Sequence, residues 1–321
     1  MSKLKFILLF FAVLISFIAV NSLPFASTQA KVTSLERYIL PGETVFPEGI
    51  AYQQTTKDFF VSSTTDGTIF RGNLRKELAD VFLPGGSDGR TTAIGLKVDD
   101  KQNRLFVAGG ATGQIFVYDT KSGELLGKFD NQKAPTFIND VAISPNGDAY
   151  FTDSNDPILY KVSTNEAHEI EFEAWLDFTG TELVYQSGFN LNGIAASNDG
   201  KYLIVVQSNT GKLFRIDIDS KQVTEIDLGG ERLNNGDGIL LSSEHILYVV
   251  RNQQQLIVKV QLEEDFSRGI VVSSTTDPSF AYPTTIAQAK NRLLVVNSQF
   301  NRRGPGLSPD LPFTVSSVPI P

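Results

Sequence analysis

The chain contains no cysteine, which excludes disulfides and thiolate metal sites. It has only two histidines, His168 and His245, one in a polar stretch between repeats and one in a hairpin turn. Zinc-type ligation therefore lacks its usual nitrogen and sulfur donors. No basic run occurs, which argues against a nucleic-acid partner. No apolar pattern of period 3.6 runs through the chain, so a helical solenoid is excluded. The formal net charge is −8, an acidity that fits a protein attracting cations but is common among soluble proteins.

Only the first residues are strongly apolar. Lys3 and Lys5 are followed by a 15-residue apolar stretch from Phe6 to Val20 and by the small-residue site Thr28-Gln29-Ala30. This is the order of an export signal, and it is shorter than the roughly 20 residues that span a bilayer. No second stretch of that kind follows, so no integral membrane body is expected. The sequence thus divides into a signal peptide at 1–30, with a retained membrane anchor as the alternative, and a single domain at 31–321, with a secreted or periplasmic destination. Removing 1–30 takes two lysines and no acid, which brings the charge to −10.

What the domain does contain is a repeat. Six openings read Glu48-Gly49-Ile50-Ala51, Ile94-Gly95-Leu96, Asn139-Asp140-Val141-Ala142, Asn192-Gly193-Ile194-Ala195, Asp237-Gly238-Ile239 and Thr284-Thr285-Ile286-Ala287, spaced by 46, 45, 53, 45 and 47 residues. Each is followed by an aromatic or β-branched strand such as Asp58–Val61, Arg104–Val107 or Tyr202–Val205. A Gly-containing turn and a third strand come next, as at Thr68–Arg71, Gln114–Val117 and Lys212–Arg215. Outer strands fit at Glu77–Leu83, Gln222–Leu228 and Gly269–Ser273. Repeats of this length with several strands each indicate an all-β fold, a six-bladed β-propeller with four-stranded blades. The two chain ends, Glu36–Leu40 and Phe313–Val318, are both strand-like and would close the ring in one blade.

Equivalent positions of such a ring converge on its axis. Glu48, Asn139, Asn192 and Asp237 would then meet, giving two carboxylates and two amide oxygens. That is a hard, all-oxygen set whose charge balances a divalent cation. Ca2+ fits best because it accepts loose six- to eight-fold oxygen coordination, and another divalent cation is the alternative. Asn-Gly and Asp-Gly also begin turns, so one such residue alone would carry no weight. Four of six equivalent positions bearing Glu, Asn, Asn and Asp are harder to attribute to turn chemistry.

Phe46-Pro47-Glu48-Gly49, the run Asn139 to Asp153, Asn192 to Gly200 and Asp237-Gly238 together resemble the regucalcin/gluconolactonase-like (senescence marker protein) superfamily, to which diisopropylfluorophosphatase and paraoxonase are related. The resemblance covers roughly residues 36–304. It implies a six-bladed propeller with a divalent ion, usually calcium, at one end of the tunnel, held by Glu48, Asn139, Asn192 and Asp237, with Asn139 acting through water or substrate. It implies hydrolysis of a small-molecule lactone, ester or phosphotriester. Asp237 is the catalytic candidate, as base, as nucleophile or as ligand only, and the sequence leaves these open. No histidine is placed for a paraoxonase-type proton shuttle, and Thr284 stands where a condensing relative, strictosidine synthase, would need an acid. A different class of function, a non-catalytic propeller with a structural ion or polar cluster, shares the same fold. Oligomeric state is not legible.

Substrate selection is expected from the loops Pro84–Thr92, Tyr185–Phe189 and Asn234–Gly236. The longest repeat carries an insert at Glu166–Thr181 with Trp175, either a lid or an extended outer hairpin. Arg302 and Arg303 are candidates to meet an acidic substrate or are merely solvated charges.

Overall fold

The computed structural model describes residues 35–167 and 169–321. The expected signal at 1–30 and His168 lie outside the described residues. Among the described residues twenty-four strands follow one another, and the helical content is three single 3-10 turns, Ser87–Gly89, Asn252–Gln254 and Phe300–Arg302. No helix among the described residues is long and apolar enough to cross a membrane.

In chain order, β1 (Arg37–Leu40) leads to β2 (Pro47–Gln53), β3 (Asp58–Ser63), β4 (Ile69–Asn73) and β5 (Lys76–Leu83). A four-strand set follows: β6 (Leu96–Asp99), β7 (Arg104–Ala108), β8 (Gln114–Asp119) and β9 (Leu125–Asp130). The next comprises β10 (Ile138–Ile143), β11 (Ala149–Asp153), β12 (Ile158–Thr164) and β13 (Ile170–Asp177). Then come β14 (Leu191–Ala196), β15 (Tyr202–Gln207), β16 (Lys212–Asp217) and β17 (Val223–Glu225), and after them β18 (Gly236–Leu241), β19 (Ile246–Arg251), β20 (Leu256–Leu262) and β21 (Gly269–Thr275). β22 (Pro283–Ala289), β23 (Arg292–Asn297) and β24 (Phe313–Pro319) end the chain.

Four of the sheets are antiparallel meanders of four strands, and the fifth has eight, in the order β2-β3-β4-β5-β1-β24-β23-β22. The two ends of the domain do meet in one sheet. β1 pairs antiparallel with β24 from Arg37↔Ser316 to Leu40↔Phe313, and β24 pairs with β23. The first and last sets become one sheet through a single parallel pair, Ile39↔Leu78. The outer strand expected at Gln222–Leu228 is shorter, Val223–Glu225, because the chain leaves β16 to bridge the next sheet at Asp227↔Arg268. The insert at Glu166–Thr181 is the long hairpin β12–β13 and not a lid, since Trp175 is buried edge-on against Tyr150, 4.9 Å between rings.

Apolar residues fill the spaces between neighbouring sheets rather than the axis. Tyr150 and Leu159 meet Leu203, Val205 and Phe214, and Phe106 and Ile115 meet Phe151 and Tyr160. Ile204 and Leu213 in turn meet Val249 and Val258. Each such side chain contributes about 1.5–3 kcal/mol on burial. The innermost strands pack on one another in chain order, β2 on β6, β6 on β10, β10 on β14, β14 on β18 and β18 on β22, and β22 returns to β2.

Those inner strands approach at backbone distance. The Gly95 amide donates to the Asn139 carbonyl at 2.8 Å, and the Thr284 hydroxyl to the Glu48 carbonyl at 2.8 Å. Two hydroxyls work in both directions. Ser62 accepts from the Gly49 amide (2.8 Å) and donates to the Ile94 carbonyl (2.5 Å), and Thr152 accepts from the Asp140 amide (3.1 Å) and donates to the Asn192 carbonyl (2.7 Å). At Gly193 a Cβ would collide with the Asp237 carbonyl and stand 2.7 Å from the Ile239 amide nitrogen. The strain there is purely steric, because Gly193 is not in the left-handed region. Gly193→Ala is therefore expected to cost about 1–3 kcal/mol in urea unfolding; an unchanged midpoint would show that the inner strands have room to spare.

Candidate functional site

Five of the six openings sit in a β-bulge. The register slips by one residue between Pro47 and Ile50, Ile138 and Val141, Leu191 and Ile194, Gly236 and Ile239, and Pro283 and Ile286. A bulge leaves an extra residue outside the ladder and re-aims its side chain. Glu48, Asn139, Asn192 and Asp237 all occupy such positions. The structure brings all four to the wall of one cavity of about 780 Å³. They are only 5%, 4%, 8% and 4% exposed.

Their hydrogen bonding is incomplete on the acceptor side. Glu48 Oε2, Asn139 Oδ1 and Asn192 Oδ1 are buried with no partner. Leaving a buried acceptor unmade costs about 1–3 kcal/mol each. The donor side is satisfied where it is seen, since the Asn139 amide donates to Ser154 Oγ at 2.8 Å, which turns the carbonyl oxygen outward from that bond. Asp237 Oδ2 accepts from Asn252 Nδ2 at 2.6 Å, and Glu48 Oε1 accepts a long bond from Thr285 at 3.5 Å. A set of orphaned oxygens, all acceptors and none a donor, is what a hard cation requires. The residues present therefore fit a divalent ion. Among the described residues no three His, Cys, Asp or Glu side chains form a metal cluster, so the fit rests on the two amide oxygens as much as on the carboxylates.

Electrostatics point the same way. Burial, then the charges of Asp237 and Asp140, hold the Glu48 carboxyl well above the usual carboxylate range. Burial pushes Asp237 up to about 7, against the stabilising hydrogen bond from Asn252. Asp140, in the place that glycine holds in four other openings, is pushed up to about 6 by burial, with Lys97 and the amides of Val141 and Ile194 acting in the opposite sense. Positive charge at the axis would relieve all three.

Of the expected loops, Thr91 and Thr92, Phe189 and Asn235 reach the cavity. Ile94, the apolar opening, also lines it, while Thr284 is used up on the Glu48 carbonyl. His245 packs its ring 5.2 Å from Phe266, away from the site. Sequence reasoning missed Asn252, Ser154, Phe137 and Tyr282. The repeat itself held a signal for the first two, because the third residue after Val61, Val107, Phe151, Val205, Val249 and Val295 of the second strands reads Thr64, Gly110, Ser154, Ser208, Asn252 and Ser298. Thr64, Ser208 and Asn252 line the cavity, so these positions form a second polar tier around the openings.

Residues 46–297 match the family model described as the SMP-30/Gluconolactonase/LRE-like region. The chain belongs to this family. All six openings fall inside the matched residues, and the match agrees with the resemblance carried by the opening motifs. Lactonase drp35 of Staphylococcus saprophyticus is 29% identical over 168 residues, 51% of this chain and 48% of that protein. The chain spans about half the length of the curated relatives it matches. Among solved structures, the major Malassezia sympodialis allergen Mala s 1 superposes with a TM-score of 0.65 at 14% identity, over 88% of this chain and 96% of that one. Regucalcin of Agrobacterium tumefaciens, described as a calcium-binding protein, superposes with a TM-score of 0.59 at 15% identity, over 82% and 85%. These likenesses, like the meandering sheets, are those of a propeller-like all-β fold.

At this cavity the raised carboxyls set a pH dependence. A carboxyl whose folded pKa exceeds its unfolded value binds more protons in the folded state, so its contribution weakens as pH rises from the unfolded value toward the folded one. Chelator-treated wild type is expected to lose melting temperature relative to Asp237→Asn as pH rises from about 4 to about 7. Added calcium should close the gap. Parallel melting curves across that range would show that Asp237 is not held up by burial.

Proposed function

We propose that the chain is an exported, divalent-cation-dependent hydrolase of the lactonase type, acting on a lactone or ester at the axis of a six-bladed ring. The ring reading is supported by the closed order of inner strands. It takes the eight-stranded sheet as two four-strand blades, β2–β5 and β22-β23-β24-β1, that touch at the one pair Ile39↔Leu78. Export is supported by the order of charge, apolar stretch and small residues in 1–30. The observation that carries the chemistry is the three orphaned acceptors, Glu48 Oε2, Asn139 Oδ1 and Asn192 Oδ1, beside the Asp237 carboxylate in one substrate-sized cavity.

Glu48, Asn139, Asn192 and Asp237 would hold the ion, and Ca2+ suits their oxygen set and charge. When bound, such an ion supplies Lewis-acid polarisation of a carbonyl oxygen and stabilises charge that develops on it. The protein residues do the rest. Asn252 holds Asp237 Oδ2 and so fixes the carboxylate at the cavity wall, where Asp237 would serve as general base toward water or as nucleophile. Burial of the four ligands keeps the site's effective dielectric low, which strengthens every charge interaction made there. Phe137, Phe189, Tyr282 and Phe300 give the cavity an apolar wall against which the body of an ester can rest. The lactonase relative and the calcium-binding solved structure support this assignment by likeness.

Calcium titrated calorimetrically into chelator-treated protein is expected to bind saturably, and Glu48→Gln and Asp237→Asn to abolish that heat. Both variants should lower turnover of simple lactones and aryl esters by about 10²–10³-fold. Saturable calcium without any turnover would move the reading to a structural ion in a binding protein, and no calcium heat in the wild type would sink it.

A further inference from the structure

The two arginines near the end of the domain have different fates. Arg302 is paired with Asp310 at 2.7 Å. Arg303 has no carboxylate partner within ion-pair distance among the described residues. It is instead set into the cavity rim. Its Nη1 donates to Thr64 Oγ1 at 3.0 Å, and its guanidinium lies 5.4 Å from the centre of the Phe46 ring. Thr64 is itself fixed by donating to the Phe46 carbonyl at 2.7 Å, two residues before Glu48. The guanidinium is therefore held in place by a hydrogen bond and a ring face, and most of its five donors are unspent.

Arg303 is the cationic residue lining a cavity that also carries the carboxylates of Glu48 and Asp237, in a chain of formal charge −8. The net charge of the chain opposes anions on average, so a held arginine at the rim has a selective effect that it would lack on a basic surface. Two aromatic edge pairs line the same cavity, Phe137 with Phe189 at 5.0 Å and Tyr282 with Phe300 at 6.2 Å. Phe189 is 49% exposed, a large apolar surface kept open at the mouth. Phe300 and Arg303 both lie past residue 297, where the family match ends.

We propose that Arg303 selects the substrate, pairing with a carboxylate carried by an aromatic or alicyclic ester or lactone whose ring rests on the aromatic pairs. A planar guanidinium meets a carboxylate with two parallel hydrogen bonds, which a neutral substituent cannot reproduce. The proposal rests on the hydrolase reading above, and its test separates the two. Para-acetoxybenzoate and its methyl ester carry the same acetyl ester with and without that charge, and comparing their ratio between wild type and variant cancels their other differences. The ratio of their kcat/KM values, anion over neutral, is expected to fall about tenfold in Arg303→Gln, through KM rather than kcat. It should fall less in Arg303→Lys, which keeps the charge without the planar fork. Added salt should lower the ratio in the wild type and leave it flat in Arg303→Gln. An unchanged ratio in Arg303→Gln, with an unchanged melting temperature, overturns the proposal. If the wild type hydrolyses neither ester, the hydrolase reading fails. Calorimetry with para-hydroxybenzoate then decides Arg303 alone: binding about tenfold weaker in Arg303→Gln upholds it, and equal binding or none overturns it.

Discussion

The rest of the structure hangs on how closely the inner strands approach one another around the axis. At Gly193 and Gly95 there is no room for a side chain, because the next opening's backbone occupies that space. The contact is made by hydrogen bonds from one sheet's opening to the next, directly at Gly95 to Asn139 and through the Ser62 and Thr152 hydroxyls elsewhere. Each of those bonds fixes the carbonyl of an opening residue, and therefore the origin of its side chain. The apolar packing between sheets supplies most of the stabilising energy, but it does not aim the four axial side chains. The bulge and the carbonyl lock do that together.

This division explains why the site can be both costly and persistent. Three unpartnered acceptors and three raised carboxyls at one end of the axis would be relieved by moving apart, yet each is fixed to a strand whose neighbours are locked in a ring. Bulges next to active sites are built to redirect a side chain, and here the same irregularity recurs in five of the six openings. The repeat thus makes a site by multiplication. A single geometric device, copied round the ring, brings to Glu48 side chains that lie 91 (Asn139) to 189 (Asp237) residues away in the chain, and only once the ring is closed.

The parts legible in the sequence were those the repeat multiplies. Glu48, Asn139, Asn192 and Asp237 were visible because a fixed spacing made them equivalent, and the second strands because aromatic and β-branched residues recur there. The eight-stranded sheet was not visible, since it depends on one parallel pair, Ile39↔Leu78, for which no local pattern exists. Trp175 was ambiguous because a large aromatic in an insert is equally consistent with a lid, and only its packing on Tyr150 decides. Asn252 and Ser154 were missed for another reason. They lie one residue past a strand, where polar residues are expected for turn chemistry alone, and their partnership with Asp237 and Asn139 exists only across the bulge.

The rim follows a different logic from the ring. Its residues come from connections of unequal length, so no spacing relates Phe189 to Phe300 or Thr91 to Arg303. A change in one of these loops alters the cavity mouth without touching the carbonyl locks, whereas a change at an opening disturbs two sheets at once. Arg302 and Arg303 illustrate the consequence: adjacent in sequence and identical in type, they differ because one finds Asp310 and the other finds Thr64 and the Phe46 ring. Composition gives no means of telling them apart. What separates them is backbone position: Arg302 is the last residue of the short 3-10 turn Phe300–Arg302, and Arg303 is its extended C-cap. The rim of the cavity is therefore written where the sequence is least periodic, on a ring whose axial side chains are written where it is most periodic.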